Sequence, residues 1–356
     1  MREESLQFFK ELLHAPSPSG YEQPAQRVFR AYIEPFAKVT TDVIGNVYGR
    51  IEGGTEGCPR VMLVGHSDEI GLQIRYIDDK GFIFFAAIGG VDAHLTPGLR
   101  VNIHTENGAV CGVIGKKPIH LMEAKDRESV VKLDAQYIDI GAADKKEAEG
   151  LVRVGDPVTF SADFAALQGN RVTARGFDDK AGSFVVAEVL RQVSALSEKL
   201  PCDLYGVSSV QEEIGLRGGT TSCYNVKPDI GICVEVDFAT DQPDVERKHN
   251  GDVSIGKGPI LPRGANINHA LFELLAETAA EEGIAVQFTG IPRATGTDAN
   301  VMQISRGGVA TALVKIPLRY MHTPVEVLDL ADIDGAIKLI TAVVSKIRDK
   351  RTFIPV

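Results

Sequence analysis

The sequence predicts an α/β fold that carries a β-rich insertion, and three observations support this prediction. Continuous apolar runs are typical of strands buried inside a sheet. They lie at residues 60–66, 228–235 and 309–315. Apolar residues at helical spacing, such as Leu6, Phe9 and Leu13, predict amphipathic helices around that sheet. Between about Gly71 and Phe160, short β-like segments alternate with Gly, Pro and Asp, which indicates a separate small unit.

The elements of the α/β part can be predicted in order. Pro16, Pro18 and Gly20 end the first helix, and a second helix is predicted over residues 23–36. Two short strands follow around the Gly45-Asn46 turn. The elements predicted after the insertion are a strand at 171–175, a helix ending near 193, a strand at 202–210, a helix at 271–282, a loop at 290–300 and a closing helix at 330–350.

Length and composition restrict the classes of protein to consider. A chain of 356 residues predicts two domains, or one large domain with an insertion. Its net charge of −10 argues against nucleic-acid binding, which needs clustered Lys and Arg. The five cysteines are scattered, which argues against a disulfide framework or a Cys-type zinc site. Without an apolar signal block or a bilayer-length apolar run, we expect a cytoplasmic protein with no membrane partner.

The most informative stretch is residues 207–215, in which a short apolar run ends in two adjacent carboxylates, Glu212 and Glu213. Neighbouring side chains on extended backbone point in opposite directions. One carboxylate could therefore hold a metal ion while the other faces the water that the metal activates. Taken alone, such a pair is more often a solvated loop edge.

Other apolar strands end in the same type of residue. These positions are His66 with Asp68, Glu235 with Asp237, and His322; Asp178 with Asp179 lies at a strand-to-helix junction. An Asp can orient a metal-bound His, although a simple His–Asp turn or a helix N-cap explains such pairs equally well. Strand ends of an α/β sheet converge on one pocket. Two His and several carboxylates suit zinc, cobalt or manganese and exceed the needs of one tetrahedral zinc, so we expect a two-metal site.

Four segments together resemble the M42 metallo-aminopeptidases, the family that includes the large tetrahedral aminopeptidases and glutamyl aminopeptidases. They are His66-Ser-Asp-Glu-Ile-Gly71, Gly176-Phe-Asp-Asp-Lys180, residues 210–218 and residues 319–326. The resemblance covers nearly the whole chain, and the motifs are specific as an ordered set. It implies a mixed-sheet sandwich of the zinc-peptidase type with an inserted small β-rich, PDZ-like domain. The implied division is a catalytic α/β domain at 1–72 and 165–356, and a dimerisation or oligomerisation domain at 73–164.

The resemblance also implies a role for each candidate residue. Asp178 would bridge two divalent ions (Zn²⁺ or Co²⁺, with Mn²⁺ as an alternative). His66 and Glu235 would complete one ion, and Glu213 and His322 the other. Glu212 would be the general base and acid, and Asp68 would orient His66. The family usually has Asp where this chain has Glu235, so Asp237 stays an alternative ligand.

The predicted function is therefore a two-metal aminopeptidase that removes N-terminal residues from peptides. A metal-bridging water would be the nucleophile, with Glu212 taking and returning its proton. The resemblance implies a homo-oligomer in which dimers assemble into a dodecamer. Three alternatives stay open: a metal-dependent deacylase, an endoglucanase-like glycoside hydrolase that uses paired carboxylates, and a non-catalytic scaffold.

Overall fold

The protein consists of a mixed β-sheet flanked by helices and a β-barrel that is inserted in the chain. The computed structural model describes residues 1–355, and for Asp126 the backbone only. The strands are β1 (Lys38–Thr41), β2 (Val47–Ile51), β3 (Arg60–His66), β4 (Gly71–Ile77), β5 (Ile83–Ile88), β6 (Arg100–Thr105), β7 (Gly108–Gly115), β8 (Tyr137–Asp139), β9 (Pro157–Phe160), β10 (Ala165–Ala166), β11 (Arg171–Ala174), β12 (Asp203–Ser209), β13 (Ile230–Phe238), β14 (Ile260–Gly264), β15 (Gln287–Ile291), β16 (Ala310–Leu318) and β17 (Glu326–Asp329). The α-helices are α1 (Glu3–His14), α2 (Gln23–Ile33), α3 (Lys145–Leu151), α4 (Phe177–Ser194), α5 (Arg217–Val226), α6 (Arg247–Asn250), α7 (His269–Glu281), α8 (Asp298–Gln303) and α9 (Leu330–Val344).

The main sheet has the strand order β1-β2-β12-β3-β13-β16-β14-β15. Its four central strands, β12, β3, β13 and β16, run parallel, whereas β1, β2 and β14 pair antiparallel with their inner neighbours. The parallel strands are buried almost throughout, as their continuous apolar sequences predict. Because they are parallel and adjacent, their carboxyl ends lie along one edge of the sheet.

Helices cover both faces of this sheet. On one face α4 packs against β3 and β13, with α1, α2 and α9 packed around α4. On the other face α5 and α8 enclose a smaller apolar cluster that includes Met62, Cys223 and Met302. The predicted mixed α/β fold is therefore confirmed.

Strands β4 to β9 close into a barrel with the order β4-β5-β8-β7-β6-β9, in which every pairing is antiparallel. The barrel has its own apolar core, which includes Leu72, Ile83, Val101 and Val158. Successive side chains of a strand point to opposite faces, so apolar residues that face this core alternate with polar residues that face outward. This alternation is the pattern of the short β-like segments in the sequence. The PDZ-like character of this unit and the division at 73 and 164 stay predictions.

A third, three-stranded sheet has the order β10-β11-β17. In it Ala174, the last residue of β11, pairs with Glu326, the first residue of β17. The chain enters α4 directly after β11, so this small sheet places Glu326 beside the N-terminus of α4.

Two elements differ from the sequence-based expectations. The predicted loop at 290–300 is shorter, because β15 extends to Ile291 and α8 begins at Asp298. The closing helix α9 ends at Val344, and a 3₁₀ turn at Lys350–Phe353 follows. Val344 and Ile347 are both buried at helical spacing, so the apolar pattern runs past the helix end.

The structure also bears on membrane spans and on the state of the cysteines. Within residues 1–355, no helix is both long and apolar enough to cross a membrane. The cysteines are all free thiols, and Cys202, Cys223 and Cys233 are buried in the apolar clusters.

A close backbone approach and a buried ion cluster fix α4 against the end of β3. A Cβ atom on Gly65 would collide with the backbone of Gly182, so glycine permits this contact. Glu69 follows β3 and pairs with Arg175 and with Lys180, whose ammonium lies 3.0 Å from Glu69 Oε1. Burial alone would raise the pKa of Glu69, but the two cations outweigh it and lower the pKa from 4.5 to about 2.

We predict that Glu69→Gln destabilises the protein in a pH-dependent way. The pKa of Glu69 is lower in the folded state than in the unfolded state. Its contribution to the free energy of unfolding is therefore complete above pH 4.5 and is lost as the pH falls towards 2. The difference between 4.5 and 2 corresponds to about 3 kcal/mol at neutral pH. Urea unfolding at pH 7, 4 and 3, at one protein concentration, measures the difference between variant and wild type. Glu198→Gln, at an exposed position, is the control; a Glu69→Gln effect that is equal at pH 7 and 3 would contradict this assignment.

Candidate metal centre

The carboxyl ends of the four central parallel strands meet at one polar cavity of about 490 Å³. The cavity is lined by His66, Asp178, Glu212, Glu213, Glu235, Asp237 and His322 together with less polar neighbours. These residues belong to separate segments of the chain, and the sheet edge brings them together. The structure therefore places all the sequence-predicted candidates here, with Asp68 directly behind the cavity.

His66, the last residue of β3, presents one ring nitrogen to the cavity. Its Nδ1 lies 3.0 Å from the main-chain oxygen of Asp68 and 3.4 Å from Asp68 Oδ1. The shorter contact is to the main chain, so the carbonyl contributes more to ring orientation than the predicted carboxylate contact. With Nδ1 engaged in this way, Nε2 is the nitrogen free to bind a metal ion.

Asp178 lies between the two histidines. One of its carboxylate oxygens is 3.2 Å from His66 Nε2, and the other is 3.3 Å from His322 Nε2. Asp178 has non-helical backbone angles at the start of α4, and its peptide bond to Asp179 is cis. A carboxylate that presents one oxygen to each of two His ligands has the arrangement of a metal bridge.

Glu235 and Asp237, the two alternative ligands, have different partners. Glu235 Oε1 lies 3.6 Å from His66 Nε2 and is buried. Asp237, two residues further along β13, accepts a hydrogen bond from Lys315 at 2.9 Å. The geometry favours Glu235 as the residue that faces His66, because the Lys315 ammonium already occupies Asp237.

Glu212 and Glu213 follow β12 and point to different parts of the cavity. Glu212 Oε2 is 3.8 Å from His66 Nε2, whereas Glu213 Oε2 is 3.5 Å from His322 Nε2. The carboxylate of Asp68 accepts the backbone N–H groups of both residues, at 2.9 Å and 3.1 Å. Asp68 therefore fixes the turn that divides the two glutamates between the two histidines.

His322 comes from the loop that follows β16 and is held by the barrel. Its Nδ1 lies 3.1 Å from the main-chain oxygen of Gly90, which follows β5. A Cβ atom on Gly90 would lie 2.7 Å from that Nδ1, so only glycine fits this approach. The inserted barrel thus contacts the metal centre directly.

The site has unusual electrostatics, because several buried carboxyl groups lie close together. Burial, reinforced by the charge of neighbouring carboxylates, raises the pKa of Glu212 to about 10 and that of Glu213 to about 8. Burial also opposes ionisation of Asp178, but hydrogen bonds with His322 and His66 outweigh it and lower the Asp178 pKa. The hydrogen bond with Asp178 raises the pKa of His322 to about 9. For Glu212 and Glu213 to be ionised at neutral pH, additional positive charge must therefore lie beside them.

The donor set fits divalent metal ions. Ligand atoms of His66, Asp178 and Glu213 lie within 4.8 Å of one another, as do those of His66, Asp179 and Glu235. Glu213 Oε1 is buried and has no hydrogen-bond partner. Such an oxygen is costly unless a cation binds it. The cavity carboxylates Asp178, Glu212, Glu213 and Glu235 would together balance two divalent ions.

Three residues near this centre were not given a role by sequence reasoning. Asp179 accepts the backbone N–H groups of His66 and Gly182, at 3.1 Å and 3.0 Å, and so links β3 to α4. Gly90 and Glu326 contact His322. Glu326 stands in the fourth motif, four residues after His322, and that spacing was the one available signal. Gly90 had none, because the contact is made by its backbone across the fold.

Known proteins resemble this chain in both sequence and fold. The sequence model of the M42 glutamyl aminopeptidase family matches residues 45–339. The lysyl aminopeptidase of Pyrococcus furiosus is 37% identical over 346 residues, which are 96% of this chain and 97% of that protein. The crystal structure of a TET aminopeptidase from a marine sediment Thaumarchaeota archaeon is 33% identical, with a TM-score of 0.93 and coverage of 99% of this chain and 98% of that chain.

A second solved structure adds information on assembly. The TET1 peptidase of Pyrococcus horikoshii, which can assemble into a tetrahedron or a large octahedral shell, is 32% identical, with a TM-score of 0.84. The match covers 95% of this chain and 98% of that chain. With a family match over most of the sequence, full-length relatives and a shared fold, the chain belongs to the M42 glutamyl aminopeptidase family.

Proposed function

We propose that this chain, an aminopeptidase by its family membership, hydrolyses N-terminal residues from peptides with the help of two divalent metal ions. The observation that supports this most directly is the position of Asp178, with one oxygen towards each histidine. Asp178 would bridge the two ions, His66 and Glu235 would complete one, and Glu213 and His322 the other. Zn²⁺ and Co²⁺ suit this set of nitrogen and oxygen ligands, and Mn²⁺ is an alternative.

A bound metal pair would lower the pKa of water and polarise the scissile carbonyl. The protein's own contribution begins with Glu212, which lines the cavity without belonging to the proposed ligand set. Glu212 takes the proton of the attacking water and returns it to the leaving amine. Asp68 keeps Glu212 and Glu213 on separate sides of the cavity, so that one carboxylate stays free for proton transfer.

Assembly and access form a second part of the proposal. Because the Pyrococcus horikoshii relative can assemble into a tetrahedron or a large octahedral shell, we propose that this chain is a homo-oligomer, with dimers that assemble into a dodecamer. The barrel, residues 73–164 in the predicted division, would supply subunit contacts as well as the Gly90 contact to His322. Enclosed active sites would restrict substrates to peptides. Cytoplasmic location stays a prediction from the sequence.

Two alternatives to peptide hydrolysis differ in what they require of the site. A glycoside hydrolase needs two carboxylates and has no use for His66 or His322 at the centre of the cavity. A metal-dependent deacylase would use the same centre on a different acyl group. Loss of activity on metal removal would distinguish the proposed aminopeptidase from a glycoside hydrolase. The substrates that are cleaved would distinguish it from a deacylase.

We predict that Glu212→Gln lowers kcat by about 10²–10⁴-fold and leaves metal content unchanged. The amide keeps the size of the side chain but cannot take a proton from water. Steady-state hydrolysis of a peptide substrate, with elemental analysis of the same samples, measures both quantities. Glu198→Gln is the matched surface control. Near-wild-type turnover by Glu212→Gln with two bound metals would remove Glu212 from the mechanism.

His322→Ala is expected to lower metal occupancy, because it removes one of the nitrogen ligands of the second ion. His249→Ala is the control, since His249 lies on the exposed helix α6. Metal content after dialysis against a limiting chelator distinguishes the two variants. If His322→Ala retains as much metal as His249→Ala, the ligand assignment is wrong.

A panel of aminoacyl-p-nitroanilides tests the proposed function directly. We expect chelation to abolish release of p-nitroaniline and Co²⁺ or Zn²⁺ to restore it. Uncharged apolar first residues should be cleaved fastest, because the charged wall residues Lys315 and Asp237 neutralise each other while Phe238 and Met321 are apolar. Hydrolysis of cellulose oligomers that survives chelation would instead favour a glycoside hydrolase.

A further inference from the structure

Glu326 is a buried carboxylate that joins two ligand-bearing segments. It is only 2% exposed. Its Oε2 accepts the backbone N–H of Asp178 at 3.1 Å, and its Oε1 accepts the backbone N–H of His322 at 3.2 Å. Asp178 and His322 are 144 positions apart in the sequence, yet both bond to the same side chain.

The two segments that Glu326 joins have irregular backbones. His322 and Tyr320 have positive φ angles of 61°, which non-glycine residues seldom adopt. Positive φ angles at such residues persist only when surrounding contacts hold them. Asp178 has extended backbone angles, φ −77° and ψ 105°, where α4 begins. Glu326 supplies such a contact to both segments at once.

Asp68 makes the same type of contact with two other residues of the cavity. Its two oxygens accept the backbone N–H groups of Glu212 and Glu213. Glu326 and Asp68 therefore each use one buried carboxylate to hold the backbone of two cavity residues. Between them they fix Asp178, His322, Glu212 and Glu213.

We propose that Glu326 is a positioning residue for the metal pair. By accepting the backbone N–H groups of Asp178 and His322, Glu326 sets the distance between these two residues. This inference rests on the proposed two-metal function. A carboxylate suits the role because both of its oxygens accept hydrogen bonds and both partners are donors. An amide in its place has one accepting oxygen and one donating NH₂, which would face one of the N–H groups.

Glu326→Gln tests the proposal, and Asp332→Asn is its matched control. Asp332 is also buried, and its two oxygens accept the backbone N–H groups of Gly256 and Gly258, both at 2.6 Å. Its partners lie outside the metal-centre segments. The two substitutions thus remove the same type of double acceptor, one beside the metal ligands and one elsewhere.

The measurement is a Co²⁺ titration of the full-length, metal-free protein, followed by visible absorption. We expect Glu326→Gln to weaken binding of at least one ion by about 10–100-fold, with kcat restored by excess Co²⁺. Asp332→Asn should bind both ions with wild-type affinity. Wild-type affinity in Glu326→Gln, or equal weakening in both variants, would overturn the positioning role. Failure of the wild type to bind any metal would instead overturn the proposed function.

Hydrogen exchange of the wild type provides a test that needs no variant. In the metal-free protein, the amides of Asp178 and His322 should exchange more slowly than the amide of Thr323, for which the structure gives no such acceptor. Exchange of the Asp178 and His322 amides as fast as that of Thr323 would show that Glu326 does not hold them, and would overturn the proposal even if Glu326→Gln failed to fold.

Discussion

Burial of several carboxyl groups in one cavity is the constraint on which the site depends. The parallel strands bring several acidic side chains to one cavity, where burial strongly disfavours their charge. Two histidines offer only partial compensation, because Asp178 accepts from both while Glu213 Oε1 stays without a partner. Divalent cations are the simplest way to stabilise this arrangement, since borderline ions such as Zn²⁺ accept both carboxylate and imidazole ligands.

The surrounding fold shows how a crowded acidic site keeps its geometry. Buried carboxylates next to the cavity do not contribute charge to the ligand set; they accept backbone N–H groups. Asp68 holds the Glu212–Glu213 turn, Asp179 links β3 to α4, and Glu326 joins Asp178 to His322. Each of these side chains has two oxygens that can accept, so one residue can hold two backbone N–H groups that no regular element pairs.

The inserted barrel contributes a backbone contact to the candidate metal centre. Its Gly90 carbonyl lies against His322 Nδ1, so the nitrogen left for metal is Nε2. A unit that also supplies subunit contacts would couple assembly to the metal centre through this one contact. The residue that makes this contact follows a strand of the barrel, whose apolar core is separate from that of the main sheet.

The sequence by itself determined the α/β class and the β-rich insertion, and it predicted the candidate ligands that the structure brings to one cavity. Those features depend on local patterns: apolar runs for buried strands, and His or carboxylate residues at the ends of those runs. The assignment of separate roles to Glu212, Glu213 and Asp178 came from family resemblance. Only the tertiary structure favours Glu235 over Asp237, because the difference depends on Lys315 in the neighbouring strand. It alone revealed Gly90 and Glu326, since contacts between segments far apart in sequence leave no periodic signal in either segment.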